Sequence, residues 1–374
     1  MSANDVIITG IGIVTSLGEG VDAHVSALSG CTTHVDTQSF APYAIHPSVP
    51  VELDRQIPKK SDQRQMEQWQ RLGTYAAGAA LEDAGIKGNA DLLGKMHLIV
   101  ACGGGERDYA ADGVILTGLR SAADKGVYLN ERLMSDLRPT LFLAQLSNLL
   151  AGNISIVHGV IGGSRTFMGE EQSGVDAIRI AQARISSGQN ALFLVGSAVN
   201  SERADLILNY EMGGAIWRDP SVPVLERNGG GFVPGSASVF LVLESRAHAM
   251  ARGARTYASL SSVQVERTRR RPGDVRQSLA ALLARTGPSE TVISGNTGFG
   301  AAAMEEQDAL VKALPKAQIL ISGDMIGHAV EAQFAFGVAL AAGGLQSGKL
   351  KTSAIVTAVG HHRGEGAVKV EAIT

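Results

Sequence analysis

Nine histidines, two cysteines and 36 acidic side chains offer the groups that metal or acid–base chemistry needs, so their spacing is the first test. No Cys-x-x-Cys or His-Glu-x-x-His run occurs, and no known metal-ligand pattern is written in the chain. The densest cluster is His361-His362-Arg363-Gly364-Glu365. Adjacent imidazoles in a turn rarely close on one ion, so His361 and His362 read as surface or pocket-gate residues and no metal is expected. His328 stands alone at the start of an apolar helical stretch, which taken by itself is a structural position. Gly103–Gly105 follows an apolar run but lacks the spaced third glycine of a dinucleotide loop. Asn228–Gly231 has no Lys-Ser/Thr pair after it and is a turn rather than a phosphate loop. Arg267, Arg269, Arg270 and Arg271 form a basic cluster ending at Pro272-Gly273, the usual pattern of a solvated loop. The alternative is a docking surface for an acidic partner.

The elements behind these residues follow from composition and period. A chain of 374 residues is long enough for two or three domain-sized units with a large core. The net charge of −3 gives no electrostatic footprint for nucleic acid or an anionic membrane. Cys31 and Cys102 exclude a disulfide framework and favour a cytoplasmic protein. The opening apolar run is interrupted by Gly10 and Gly12, and Phe334–Gly344 is too short to span a bilayer, so no membrane insertion is expected.

Short apolar runs alternate with helical patterns, as in strands buried on both faces. The expected strands are Val6–Thr9, His97–Ala101, Ala191–Val195, Ser238–Leu243, Tyr257–Val265, Thr291–Ser294, Gln318–Ile321, Ala354–Val359 and Gly366–Ile373. The last two are expected to form a hairpin through Gly360–Glu365. The expected helices include Gln65–Ala84, Thr140–Ala151, Ser173–Ser187, Val275–Ala284, Glu305–Ala313 and His328–Gln346. Ser173–Ser187 is apolar around most of its circumference and should be buried. Ser245–Arg255 is polar and helical, a connector between two strand-and-helix series.

Ile7–Gly18 (IITGIGIVTSLG) resembles the opening strand and loop of β-ketoacyl-acyl-carrier-protein synthases. Arg64-Gln-Met-Glu-Gln, Leu81-Glu-Asp-Ala-Gly85, Gly188-Gln-Asn-Ala191 and the block Arg227–Ala258 are similar to that family in the same order, from residue 6 to the end of the chain. The resemblance implies an α/β protein of the thiolase-like type, a five-layered α-β-α-β-α sandwich of two similar halves. Residues 1–245 would form the N-terminal ketosynthase half and 246–374 the C-terminal half, normally in a dimer.

Family members extend an acyl chain held on a cysteine by decarboxylating a malonyl group on a carrier protein. That chemistry uses a thiolate at a buried helix N-terminus and two histidines that stabilise an oxyanion. Matched residue by residue, the cysteine position is Glu171, within Glu171-Gln172-Ser173-Gly174. A carboxylate there suits the helix dipole, whereas acyl transfer to it would give a labile anhydride. The first histidine position is Gly295, within Ser294-Gly-Asn-Thr297-Gly-Phe299, with Glu306 in register downstream. Thr297, Phe299 and His361 match substrate-facing positions, and Phe299 either narrows the pantetheine entrance or packs in the core. The second histidine is retained as His328. A family lysine five residues before it is Gly323 here, and the glutamate that pairs with that lysine is Gly337. Losing both ends of a buried ion pair avoids the roughly 3–5 kcal/mol cost of stranding one. The family's Gly-Glu-Gly-Ala-Gly has become Gly235-Ser-Ala-Ser-Val239, and its pocket-gating loop falls at about Gly360–Gly364.

The resemblance therefore implies a β-ketoacyl-ACP synthase homologue of fatty acid or specialised acyl-chain biosynthesis that does not condense alone. It would pair with an active ketosynthase, as chain-length factors do, and shape the acyl pocket. Chain-length factors commonly carry glutamine at the cysteine position, where this chain has glutamate. The expected partners are acyl carrier protein, whose phosphopantetheine delivers the substrates, and a second subunit in a homodimer or heterodimer. The chain itself is expected to bind no cofactor. The alternatives are an active acyltransferase or malonyl-ACP decarboxylase built on Glu171 and His328, and a homodimer that only holds the carrier protein.

Overall fold

Ten principal strands build one continuous sheet in this computed structural model, which describes residues 2–30, 33–105, 107–136 and 145–373. They are β1 (Val6–Thr15), β2 (His97–Ala101), β3 (Ser164–Phe167), β4 (Leu192–Val199), β5 (Ala237–Ser245), β6 (Ala258–Leu260), β7 (Thr291–Ser294), β8 (Gln318–Ile321), β9 (Ser353–Val359) and β10 (Glu365–Glu371). The short strands Gly18–Glu19 and Gln264–Glu266 extend it. The order across the sheet is β8-β7-β9-β10-β6-β1-β5-β4-β2-β3. Each set of five has the same order and the same strand directions: three parallel strands, then two antiparallel ones. The sets meet where β1 pairs with β6, Ile7 opposite Ser259.

Six helices complete the layers: α1 (Gln68–Asp83), α2 (Leu149–His158), α3 (Glu170–Ser186), α4 (Asp274–Thr286), α5 (Gly300–Ala313) and α6 (Gln333–Gln346). Period-2 alternation in the strands assigns the faces. On β4, Phe193 and Val195 join a central core with Val175 and Ile178 of α3 and Phe336 and Leu340 of α6. Leu192 and Leu194 face the other way, towards Ala76 and Ala80 of α1 and Ile154 of α2. On β9, Val356 faces the centre, while Ile355 packs outward with Leu279 of α4 and Leu310 of α5. The result is the five-layered α-β-α-β-α thiolase-like architecture, with α3 and α6 as the middle layer.

The differences from the expected elements have local causes. β1 continues to Thr15 because Gly10 and Gly12 let α1 lie directly against the strand. A Cβ on Gly12 would sit 1.9 Å from the Ala76 carbonyl oxygen. The helix expected at Gln65–Ala84 runs from Gln68 to Asp83, and an extended Met66 parts it from a short helix that was not expected, Lys60–Gln65. Tyr257–Val265 likewise divides into Ala258–Leu260 and Gln264–Glu266. β3 was not expected, since Ser-Arg-Thr-Phe is largely exposed and carries no apolar run. Residues 140–144 of the expected Thr140–Ala151 helix lie outside the described residues, and the helix there is Leu149–His158. The C-terminal hairpin forms as expected, with Val359 opposite Glu365.

Candidate active site

The chain enters α3 from β3 through a strained turn. Gly169 has φ 128° and Glu170 φ 57°, a left-handed conformation that costs a non-glycine residue roughly 1–3 kcal/mol. The turn places Glu171 in the first helical turn, 1% exposed. The close approach of α3 to the segment after His328 requires Gly174, because a Cβ there would lie 2.2 Å from the Glu331 carbonyl oxygen. His328 is fixed by its backbone, its N–H donating to the Val233 carbonyl at 2.8 Å and its carbonyl accepting from Gly235 at 2.9 Å. The Phe232 ring lies 4.6 Å from its imidazole.

Glu171 and two histidines meet at one oxygen. Glu171 Oε1 is 2.7 Å from His328 Nε2 and 2.9 Å from His361 Nδ1. Burial is the largest single influence on Glu171 and opposes ionisation, but the hydrogen bonds and charges of His328 and His361 together hold it well below the usual carboxylate range. Burial likewise disfavours charge on His361, yet Glu171 and Glu170 outweigh it and raise this imidazole above its ordinary value. Among the described residues Glu171 Oε2 and His328 Nδ1 have no hydrogen-bond partner.

The remaining family positions are sealed rather than open. Gly295 ends β7, and a Cβ on it would lie 3.0 Å from the Thr357 carbonyl oxygen and 3.3 Å from Gln333 Cγ. The Gln333 amide is engaged with the Ala329 N–H at 2.7 Å and the Ser322 hydroxyl at 2.6 Å. A Cβ on Gly337 would meet Val356 Cγ1 at 2.6 Å, so apolar packing fills the space beside it. Thr297 is buried, and its hydroxyl accepts from the Phe299 N–H at 3.2 Å. Phe299, with its ring 6.2 Å from His361, lines a cavity of about 220 Å³ with Arg270 and Val275. Thus Glu171, His328, His361 and Phe299 come together, while Gly295 and Thr297 serve the backbone beside them.

One sequence reading needs correction. The basic cluster is not uniformly solvated: Arg267 is exposed and pairs with Asp176 at 2.7 Å, but Arg270 is largely buried and donates to the Gly360 and Gly364 carbonyls. The Glu365 carboxylate turns away from His361 and His362, to Arg270, to the Thr268 hydroxyl at 2.8 Å and to the Ser278 hydroxyl. Arg270 therefore ties down the loop that carries His361. Cys31 lies outside the described residues. Cys102 is buried with its thiol 3.0 Å from the Ser147 carbonyl oxygen, and burial pushes the thiol well above its ordinary range.

Sequence reasoning missed Glu331 and Tyr210 and gave Glu306 no role. Glu331 is 7% exposed and lines a cavity of about 260 Å³ with Glu170, Arg203 and Tyr210. Desolvation, with Glu171 and Glu170 adding to it, pushes this carboxyl up to about 7. Glu306 is fully buried below Gly295, accepts from the Ser294 and Thr357 hydroxyls at 2.8 Å each, and is pushed up to about 7 by burial. The available signal was a charged residue inside each apolar stretch, and no spacing rule marks such a residue.

The family profile described as "Beta-ketoacyl synthase, N-terminal domain" matches residues 3–249, and the chain belongs to the β-ketoacyl synthase family. It is similar to 3-oxoacyl-[acyl-carrier-protein] synthase 2 of Vibrio cholerae serotype O1, at 26% identity over 271 residues, which cover 70% of this chain and 62% of that protein. The chain thus spans under two thirds of that relative's length. Among solved structures it resembles the ishigamide ketosynthase/chain length factor, with TM-score 0.80, 19% identity and 99% of both chains covered. It also resembles AntDE:AntF, a type II polyketide acyl-carrier protein in complex with its ketosynthase, with TM-score 0.76, 18% identity and 99% coverage of each chain. At these identities the structural matches establish the fold, and among the described residues no helix is long and apolar enough to cross a membrane.

Proposed function

We propose that this chain is a non-condensing β-ketoacyl synthase homologue of fatty acid or polyketide synthesis that pairs with an active ketosynthase and shapes its acyl pocket. The observation that carries the reading is the carboxylate of Glu171, held ionised by His328 and His361 where a condensing enzyme needs a thiolate. Condensation requires a nucleophile that forms a stable thioester, and Glu171 offers an ion-paired oxygen instead. His328, the histidine that would stabilise an oxyanion, already has its Nε2 engaged in a hydrogen bond to Glu171.

Pairing is supported by the edge of the sheet. Among the described residues β3 pairs with one strand, β2, and forms an edge of the sheet. Ile156, Ile161 and Met168, 76%, 71% and 64% exposed, lie in the segments flanking that edge. Exposed apolar side chains beside an open edge suit a second chain, here a ketosynthase, with substrates arriving on the phosphopantetheine of an acyl carrier protein.

The test is to purify the chain alone and with an intact ketosynthase from the same genome, and to assay condensation of malonyl groups on carrier protein. The expected result is a stable pair that condenses and a lone chain that does not. Condensation by the lone chain at a normal ketosynthase rate refutes the reading. Decarboxylation of malonyl groups by the lone chain, without a complex, would favour the alternative activity of Glu171 and His328.

A further inference from the structure

We propose that Glu170, His361 and His362 form a binding site for a divalent transition-metal ion of the zinc class, with Glu171 orienting His361 from behind. The three side chains place their donor atoms within 4.8 Å of one another. A tetrahedral ion with bonds of about 2.0–2.1 Å sets its donors roughly 3.3–3.4 Å apart. The His361 Nε2–Glu170 Oε1 distance is 3.7 Å, so small rotations of the half-buried Glu170 and the exposed His362 close the site.

The geometry around His361 supports the site. Its Nδ1 lies 2.9 Å from Glu171 Oε1, and its Nε2 lies 3.7 Å from Glu170 Oε1. A metal-ligating histidine whose second nitrogen donates to a buried carboxylate is the arrangement that fixes ring orientation and strengthens the ligand. The His362 ring lies beside it, with centroids 4.1 Å apart, so these neighbouring imidazoles do converge. Glu170 reaches the cluster through its left-handed backbone, at φ 57°. Together Glu170 and Glu171 balance a 2+ ion. Arg270 is committed to Glu365 and two carbonyls, whereas Arg363, exposed beside Gly169, is a neighbour whose charge opposes the ion.

The competing cation is a proton on Nε2, and the two are separable because metal binding displaces protons. The experiment takes the untagged full chain, strips it with chelator and titrates it with Zn²⁺ and Co²⁺ by calorimetry in two buffers of different ionisation enthalpy. The expected result is one ion per chain, with proton release and a tetrahedral Co²⁺ absorption spectrum. Glu170→Gln and His362→Asn, both at accessible positions, should abolish that spectrum. Glu171→Gln, acting only through His361, should weaken binding about 10–100-fold. Arg363→Ala should tighten it, and His34→Asn, at a remote exposed histidine, should change nothing. Circular dichroism of each variant confirms folding. No stoichiometric binding to the folded chain, or binding that survives both Glu170→Gln and His362→Asn, overturns the site in favour of a protonated His361.

Discussion

His361 Nδ1 lies 2.9 Å from Glu171 Oε1, joining the loop before the last strand to the first turn of the central helix across 190 residues of chain. That loop is pinned twice, because Arg270 donates to the Gly360 and Gly364 carbonyls on either side of His361. It also lies so close to α3 that a Cβ on Gly364 would meet Gln172 Oε1 at 2.2 Å. His361 thereby closes over the buried Glu171 carboxylate.

Removing the shared acceptor should be costly. Glu171→Ala leaves His328 Nε2 and His361 Nδ1 buried without a partner and should destabilise by about 3–5 kcal/mol, whereas Glu171→Gln keeps an acceptor oxygen and should cost about 1–3 kcal/mol. Urea unfolding at pH 7 measures both. Glu171 is lowered in the folded state, so its contribution is present above the unfolded value of 4.5 and fades as pH falls below it. His361 is raised, so its contribution is present below 6.5 and is lost as pH rises through its folded value. The wild-type advantage over Glu171→Gln should therefore be greatest between these limits.

Restoring the thiol should not restore the reaction. Glu171→Cys leaves Gly295 without an imidazole, and Gln333 and the Thr357 carbonyl occupy the space that a histidine there would enter. Loss of one oxyanion donor costs ~10²–10³ in rate. Both Glu171→Cys and the double variant with Gly295→His should stay inactive in a condensation assay of the purified chain.

Glu331 should make the protein less stable on the alkaline side. Its folded value of about 7 exceeds the unfolded 4.5, so the folded state holds a proton that the unfolded state releases. Stability then falls as pH rises from about 4.5 to about 7. Glu331→Gln should match wild type near pH 4 and exceed it by on the order of 1–3 kcal/mol at pH 8, read from unfolding midpoints.

Two glycine substitutions should separate contact from backbone preference. Gly12→Ala drives a Cβ into the α1 backbone at Ala76 and should cost roughly 1–3 kcal/mol or more. Gly94→Ala, in the helix Ala90–Lys95, meets nothing within 4 Å and should stabilise by about 0.5–1 kcal/mol. Thermal unfolding of the two variants provides the comparison.

The Cys102 thiol is buried and pushed upward by that burial, then by the nearby Glu331, so it should resist alkylation at pH 8. Mass-spectrometric mapping after iodoacetamide treatment should show Cys102 unlabelled in native protein and labelled in denaturant.

The sequence by itself determined the strand-and-helix alternation, the burial of α3, the C-terminal hairpin and the membership of the β-ketoacyl synthase family. These are legible because they rest on local period and on ordered short motifs, which survive without knowledge of what packs against them. β3 was illegible because Ser164 and Arg165 are exposed and Ser-Arg-Thr-Phe carries no apolar run. The length of β1 was illegible because Gly10 and Gly12 read as breaks until α1 is seen lying on them. Only the tertiary structure decided which acidic residue joins the histidines. Glu365 is near His361 and His362 in sequence, but hairpin geometry turns it to Arg270, and the helix start delivers Glu170 and Glu171 instead. A carboxylate's partner is set by distance in space, and loop closure over 190 residues leaves no trace in local spacing.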